Sequence, residues 1–310
     1  MRISVGLDTD SSLDATLERA RALRDLGFDC MWSSQIMGPD TLTVLAIVGR
    51  EFPDVDLGVG VVPIQPRHPT MLAAQARTVQ DAIGGHLSLG IGLSHRVVVE
   101  GLWGMAFERP AEHMSEYLDA LIPLLAGENA DAHGSRVSAV SIRPLGPQHV
   151  TAPSLLVAAM GTRMLGLAGA RTDGTVLWMT GRATVADHVA PVINAAAAAV
   201  GRAAPRIVCG LPIAVTDDVA GARDRINETF AVYATLPSYA AMLEREGATT
   251  PADASLIGSH AQVLEALDGL AAAGVTEFNA HPSGTRDECD AALDALRSYA
   301  GLSGTAASVR

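Results

Sequence analysis

The chain has 310 residues, 48% of them hydrophobic, 18% charged and 4% aromatic, with a formal net charge of −12. All 22 basic residues are arginine. A chain without lysine has no Schiff-base, P-loop or serine–lysine chemistry open to it. The acidic balance argues against nucleic acid and anionic membranes as partners, because both call for basic faces. No apolar run approaches the roughly 20 residues of a bilayer span, and the first residues lack the apolar region of a signal peptide. Cys30, Cys209 and Cys289 are scattered, with no CxxC pair, and read as free thiols of a reducing cytoplasm.

In chain order, short continuous apolar runs alternate with longer amphipathic stretches. The first run is 3–7, and Ser11-Ser-Leu-Asp then opens a helix that ends at Gly27. Runs at 28–32 and 55–62 follow. His68-Pro69 starts a helix that stops at Gly84-Gly85, with proline at the first helical position. A run at 87–91 and a helical stretch at 109–125 come next. The run at 155–158 leads into a helix from Thr162, and the run at 174–178 into a helix over 183–200. The last repeats are 207–215 with a helix over 217–236, then a helix over 259–273 and the run 277–280. Continuous rather than alternating hydrophobicity is what a parallel strand covered on both faces requires. Eight such runs, nearly all followed by a helix, predict one α/β domain, a (β/α)8 TIM barrel over 1–300, with a flexible C-terminal tail at 301–310. An open doubly wound sheet is the alternative.

In such a barrel the working groups sit at the carboxyl ends of the strands. That rule selects Asp8, Ser33 to Gln35, Pro63 to His68, Gly92 to Arg96, Met160 to Arg163, Trp178 to Gly181, and His281. Gly90-Ile-Gly92-Leu-Ser-His95 begins like a dinucleotide fingerprint but has His95 where the third glycine belongs. Its glycines allow a flat ring to approach the backbone instead. Met160-Gly161-Thr162-Arg163 places a tight turn before a helix, so free backbone N–H groups and the helix dipole can hold a phosphate. Asp8, Gln35, Ser94 and His95 are candidates for polar contacts in the mouth. His68 reads as a helix cap, and Arg67 either pairs with an anionic ligand or is solvated. No spacing of His, Cys and carboxylates suggests a metal, and no G-x-S-x-G elbow supports a serine hydrolase.

Leu57-Gly-Val-Gly-Val-Val-Pro-Ile-Gln-Pro-Arg67-His68-Pro69, Gln75-Ala-Arg-Thr-Val-Gln80, Gly84-Gly85-His86 and Leu89-Gly-Ile-Gly92 together resemble the luciferase-like monooxygenase superfamily. The likeness is strongest to its branch that uses the deazaflavin coenzyme F420. The later segments Val157-Ala-Ala-Met-Gly161, Ala168-Gly-Ala-Arg-Thr-Asp-Gly174, Ile257-Gly-Ser and Ala272-Ala-Gly-Val-Thr-Glu277 extend it over nearly the whole chain. The resemblance implies a bacterial luciferase-like barrel with a tricyclic ring in its mouth. A non-prolyl cis peptide at Gly60-Val61 would back that ring. Gly92, Ser94 and His95 would meet the sugar-alcohol chain, and Met160, Gly161 and Thr162 the phosphate. Ser33 and Gln35 complete the implied cofactor contacts.

The chain departs from the sugar-phosphate dehydrogenases of this family. Their Asp-His pair aligns with Gln35 and Ile36, and their glutamate after the fourth strand with Ser94-His95. His95 is then the best remaining proton donor or acceptor. Trp32, Trp103 and Trp178, with Met105, Tyr239 and Met242 nearby, are candidates for an apolar substrate pocket. The expected function is F420-dependent hydride transfer to a small organic substrate, reducing an unsaturated bond rather than oxidising an alcohol. The alternatives are an FMN-dependent monooxygenase and a barrel that binds a flavin-like ligand without turnover. A cytoplasmic homodimer is the expected assembly.

Overall fold

A computed structural model describes residues 1–35 and 37–302. Ile36 and residues 303–310, most of the expected tail, lie outside the described residues. The strands, in chain order, are β1 (Arg2–Gly6), β2 (Cys30–Ser33), β3 (Asp56–Pro63), β4 (Leu87–Gly92), β5 (Asp131–His133) and β6 (Ser138–Val140). They continue with β7 (Ser154–Val157), β8 (Gly174–Trp178), β9 (Arg206–Val215), β10 (Leu256–Gly258) and β11 (Glu277–Pro282). Eight of them pair in parallel as β1-β2-β3-β4-β7-β8-β9-β11 and back to β1, closing a barrel. These eight are the apolar runs read from the sequence. The closure excludes the open sheet.

The remaining strands decorate the barrel. β5 and β6 form an antiparallel hairpin with Ala132 opposite Ala139, inside the connection from β4 to β7. β10 pairs with the upper part of β9, Leu256 opposite Ile213, beyond the point where Trp178 and Gly210 end the pairing of β8 with β9.

Side-chain caps start several of the flanking helices. Ser12 accepts from the Ala15 N–H at the helix Leu13–Asp25, and His68 caps Pro69–Ala82 through the Thr70 N–H. Ser259 with Gln262 and Thr285 with Glu288 form capping boxes at His260–Ala272 and Arg286–Ala300. The last of these helices, like Thr41–Glu51, Arg96–Gly101 and Pro237–Glu246, was not among the expected elements. The expected helix over 183–200 contains a π-helical turn at Val185–Val189, and that over 217–236 divides into Val219–Thr229 and Ala231–Thr235.

Most of the apolar core lies between barrel and helices. A smaller cluster, Cys30, Trp32, Leu156 and Val208 with Val176 against it, fills the lumen. The Trp32 ring lies across Gly58, where any Cβ would overlap it, so β3 carries glycine there. At the amino ends of the strands Glu277 is 3% exposed. It accepts from the Trp32 indole at 2.6 Å and from Arg206 at 2.9 Å. Arg206 also donates to the hydroxyls of Ser88 at 3.0 Å and Ser154 at 3.1 Å. One ion pair thus ties together β2, β4, β7, β9 and β11. A cavity of about 610 Å³ opens beside it, lined by Arg2, Asp56, His86 and Arg206 among others, at the end of a parallel barrel that carries stability rather than catalysis. Among the described residues no helix is long and apolar enough to cross a membrane.

Candidate active site

The carboxyl ends of the strands converge on a mouth whose inner wall is the β3 bulge. The Gly60-Val61 peptide is cis, at the position the resemblance implies. The β3–β4 register slips between Val59 and Val62. The loop after β2 holds this bulge. Ser34 donates its hydroxyl to the Gly60 carbonyl at 2.8 Å, and the Gln35 N–H reaches the Val61 carbonyl at 3.3 Å. The Gln35 carboxamide is spent locally, accepting from the Thr41 N–H at 2.8 Å and donating to the Pro39 carbonyl at 3.1 Å. Its role is to shape the loop, and its side chain is not free for a cofactor. Ser33, at the carboxyl end of β2, is 4% exposed, and its hydroxyl is bonded to that of Thr9 at 2.9 Å.

The glycines of β4 serve a different neighbour from the one expected. A Cβ on Gly92 would lie 2.5 Å from a Val61 methyl, and one on Gly90 would strike the Val59 carbonyl and Val61. They admit the bulge, and the partly buried Val61 side chain stands on them at the end of β4.

Beyond β4, Ser94 has φ +55° and turns the chain so that His95 starts the helix Arg96–Gly101. Met179, directly after Trp178 at the end of β8, has φ +50°. Left-handed non-glycine residues of this kind cost about 1–2 kcal/mol and gather where a site constrains the backbone. His95 lies 5.5 Å from the Tyr239 ring, and Tyr239 lies 5.1 Å from Tyr233. Trp178 is 5.8 Å from Tyr233, 5.6 Å from Phe230 and 4.6 Å from His281. The structure therefore brings His95, Trp178, Tyr239 and His281 into one cluster. It leaves two other tryptophans out. Trp32, 1% exposed, fills the lumen; Trp103 takes no part in these ring contacts. Met242 is buried within its helix, and Met105 is exposed.

Polar satisfaction is incomplete here. The Trp178 Nε1 is buried and lies near the Tyr233 hydroxyl without meeting it in hydrogen-bonding geometry. The Asn279 carboxamide sits 3.1 Å from His281 Nε2 through its nitrogen, while its oxygen is buried without a partner. In the loop after β3, Gln65 donates to the Leu93 carbonyl at 2.5 Å and its oxygen is likewise unpaired. Burial pushes His281 down, to about 4, and lowers His95 for the same reason. It raises both tyrosines. Every titratable member of the cluster is therefore neutral at physiological pH.

Two helix N-termini face the rim. The helix Thr162–Arg171 starts at Gly161 with no side-chain cap, and Gly161, Thr162 and Arg163 are exposed. The Met160 carbonyl before it is fixed by His188 at 2.8 Å. The helix after β8 is filled: Glu246 accepts from the N–H groups of Ala183 at 3.0 Å and Thr184 at 2.8 Å. One end is thus open to an anion, and the other already holds a carboxylate. The other candidates have structural partners. His68 bridges the Thr70 N–H and the Ser138 carbonyl, Arg67 pairs with Asp40 at 2.7 Å, and Asp8 is exposed and accepts from the Asp10 N–H.

Sequence reasoning missed Phe230, Tyr233, His188, Glu246 and Asn279. The signal for the first two and Glu246 was the length of the 216–255 connection, far longer than a barrel turn needs.

The chain belongs to the luciferase-like monooxygenase family, whose model matches residues 1–303, and is an enzyme of that family. A Mycobacterium tuberculosis protein named as a coenzyme F420-dependent oxidoreductase is 36% identical over 112 residues; the match spans 36% of this chain and only 32% of that protein. Among solved structures, the coenzyme F420-dependent tetrahydromethanopterin reductase from Methanopyrus kandleri superposes with a TM-score of 0.78 at 18% identity, covering 95% of this chain and 96% of that one. The FMN complex of the oxygenating constituent of 3,6-diketocamphane monooxygenase from Pseudomonas putida gives 0.72 at 17% identity, covering 96% of each chain. At such identities these likenesses establish the fold.

Proposed function

We propose that the chain is an F420-dependent oxidoreductase that transfers a hydride between the deazaflavin and a small organic substrate, reducing an unsaturated bond rather than oxidising an alcohol. The observation that carries this reading is the uncapped helix end at Gly161 and Thr162. It offers backbone N–H groups to a phosphate on the rim of a mouth whose wall is the Gly60-Val61 bulge. The buried, unpaired polar atoms of Trp178 and Asn279 fit a site built around a bound molecule.

Met160, Gly161, Thr162 and Arg163 would hold the phosphate, Ser94 and His95 the polyol, and Val61 one face of the ring. When bound, the deazaflavin supplies two-electron hydride chemistry. Ser34 and Gln35 keep the wall rigid. The Phe230, Tyr233 and Tyr239 rings exclude water from above. His95, neutral because of its burial, accepts or passes a proton at an imidazole nitrogen. The place of the dehydrogenases' Asp-His pair falls on Gln35, whose carboxamide is spent, and on Ile36, outside the described residues. This favours reduction over alcohol oxidation.

The likeness to an FMN-bound monooxygenase component supports a second reading, an FMN-dependent luciferase-like monooxygenase. Titrating the protein with F420 and with FMN, followed by tryptophan fluorescence, separates the two. Tight F420 and weak FMN binding is expected. The reverse order would replace the first reading with the second, and binding of neither would remove the phosphate role of Gly161 and Thr162.

A further inference from the structure

The segment 230–246, between β9 and β10, roofs the mouth with Phe230, Tyr233 and Tyr239 and is tied to the rim through Glu246. Below it stand Trp178 and His281. The rings pack edge to face on one another, Trp178 against Tyr233 at 65° and Tyr233 against Tyr239 at 89°. They do not turn their faces to a common centre, as a cage for an ammonium group would. The groups that could meet a charge are themselves uncharged: His281 has its Nε2 3.1 Å from the Asn279 amide nitrogen and accepts from it, His95 lies half-buried against Tyr239, and the two phenols are buried. Of the two carboxylates of the roof, Glu246 is already engaged with the helix after β8, and Glu244 is exposed. A carboxylate or ammonium brought under this roof would lose its hydration and find no counter-charge. A flat, uncharged ring would lose nothing and bury its faces. The buried Trp178 N–H has only the Tyr233 hydroxyl near it, outside hydrogen-bonding geometry, and a ligand oxygen placed beside that hydroxyl would satisfy it.

We propose that the mouth takes a planar, uncharged carbonyl compound, its ring under Tyr233 and Tyr239 and its oxygen accepting from the Trp178 indole. The assignment rests on the reading of the mouth as the enzyme's substrate site and adds the chemical class of the substrate.

The test uses three ligands with one ring: acetophenone, benzoate and benzylammonium. Each is titrated calorimetrically into the protein alone and into the protein saturated with F420. Acetophenone should bind at least tenfold more tightly than either charged ligand. In Trp178→Phe its affinity should drop several-fold, while that of toluene, which has the ring without the oxygen, stays the same. Equal or tighter binding of benzoate or benzylammonium overturns the inference, as does binding of none of the three. An unchanged acetophenone affinity in Trp178→Phe removes the indole from it. Cofactor binding is read separately from the fluorescence of F420 itself. Loss of F420 binding with the neutral preference intact counts against the cofactor reading alone, and the converse counts against the substrate class alone.

Discussion

The two ends of the barrel treat the same residue types in opposite ways. At the amino end the Trp32 indole has its acceptor, Glu277, which also pairs with Arg206. At the carboxyl end the Trp178 indole has none, and neither Gln65 nor Asn279 satisfies its buried oxygen. A single strand spans the contrast. On β11, Glu277, Asn279 and His281 stand two residues apart and point to the same side: the first bonded to partners on two strands, the second half-satisfied, the third held neutral under an aromatic roof. Evenly spread imperfection would mean only an ill-packed barrel. Two further unpaired atoms, the Nε groups of Arg136 and Arg225, belong to the β5–β6 hairpin and the helix Val219–Thr229. Among the described residues of the barrel strands and their end loops the unpaired atoms gather at the mouth, which fits an end built to take a ligand.

The sharpest way to break this comparison is at the satisfied end. Glu277→Ala leaves the Trp32 N–H and the Arg206 guanidinium without their acceptor. Removing one partner of a buried pair costs about 3–5 kcal/mol. The Arg206 side chain is 32% exposed, so the lower figure, about 3 kcal/mol, is expected in urea unfolding. Trp178→Phe at the other end removes a donor that has no partner, and should leave stability within about 1 kcal/mol of wild type. Similar losses for both variants would erase the distinction between the ends.

The next effect is a pH dependence. His281 has a folded value near 4, below the ordinary imidazole value of 6.5. The unfolded chain therefore binds the proton first. Its contribution to stability is fully present above pH 6.5 and is lost progressively as pH falls towards 4, about 3 kcal/mol in all. Urea midpoints measured across that window should fall steeply for wild type and much less for His281→Gln. Parallel curves for the two proteins would mean that the imidazole is already hydrated in the mouth.

The barrel was legible because a parallel strand buried on both faces leaves an unbroken apolar run. β9, with eight consecutive buried residues, is the clearest case. Thr41–Glu51 escaped because its buried Leu42, Leu45 and Val48 lie among β-branched neighbours that blur the helical period. In the site, Gly161, Thr162, His95 and His281 followed from the rule that strand ends carry function. Trp32 misled because it lies one residue before the end of β2, while its burial depends on Glu277, 245 residues away. Phe230 and Tyr233 reach the mouth only because a long connection folds back over it, which no local pattern announces.

The two helix ends on the rim offer a smaller, sign-separated test. Gly161→Asp would place a carboxylate where the helix Thr162–Arg171 is open, as Glu246 does at its neighbour. Aspartate is a good N-cap, better than glycine by a few tenths of a kcal/mol, so stability should hold or rise slightly. Its charge would compete with a phosphate, and F420 affinity should fall at least tenfold, about 1.4 kcal/mol. A variant that is as stable as wild type and binds F420 equally well would move the phosphate elsewhere.

The smallest effect is expected at Glu246. Its carboxylate accepts from two backbone N–H groups of the helix after β8 and holds the segment that carries Tyr239. Glu246→Ala loses a cap, worth about 1 kcal/mol, but the roof keeps its ring contacts and the buried Met242 and Leu243. The barrel should therefore unfold at nearly the wild-type denaturant concentration. The change belongs to the roof, and hydrogen exchange should quicken in 231–246 while the barrel strands stay protected. Glu246→Gln, which keeps one accepting oxygen, should restore much of the protection. If exchange quickens throughout the barrel instead, the latch belongs to the fold as a whole, and the division into a satisfied end and an adaptable mouth fails at its rim.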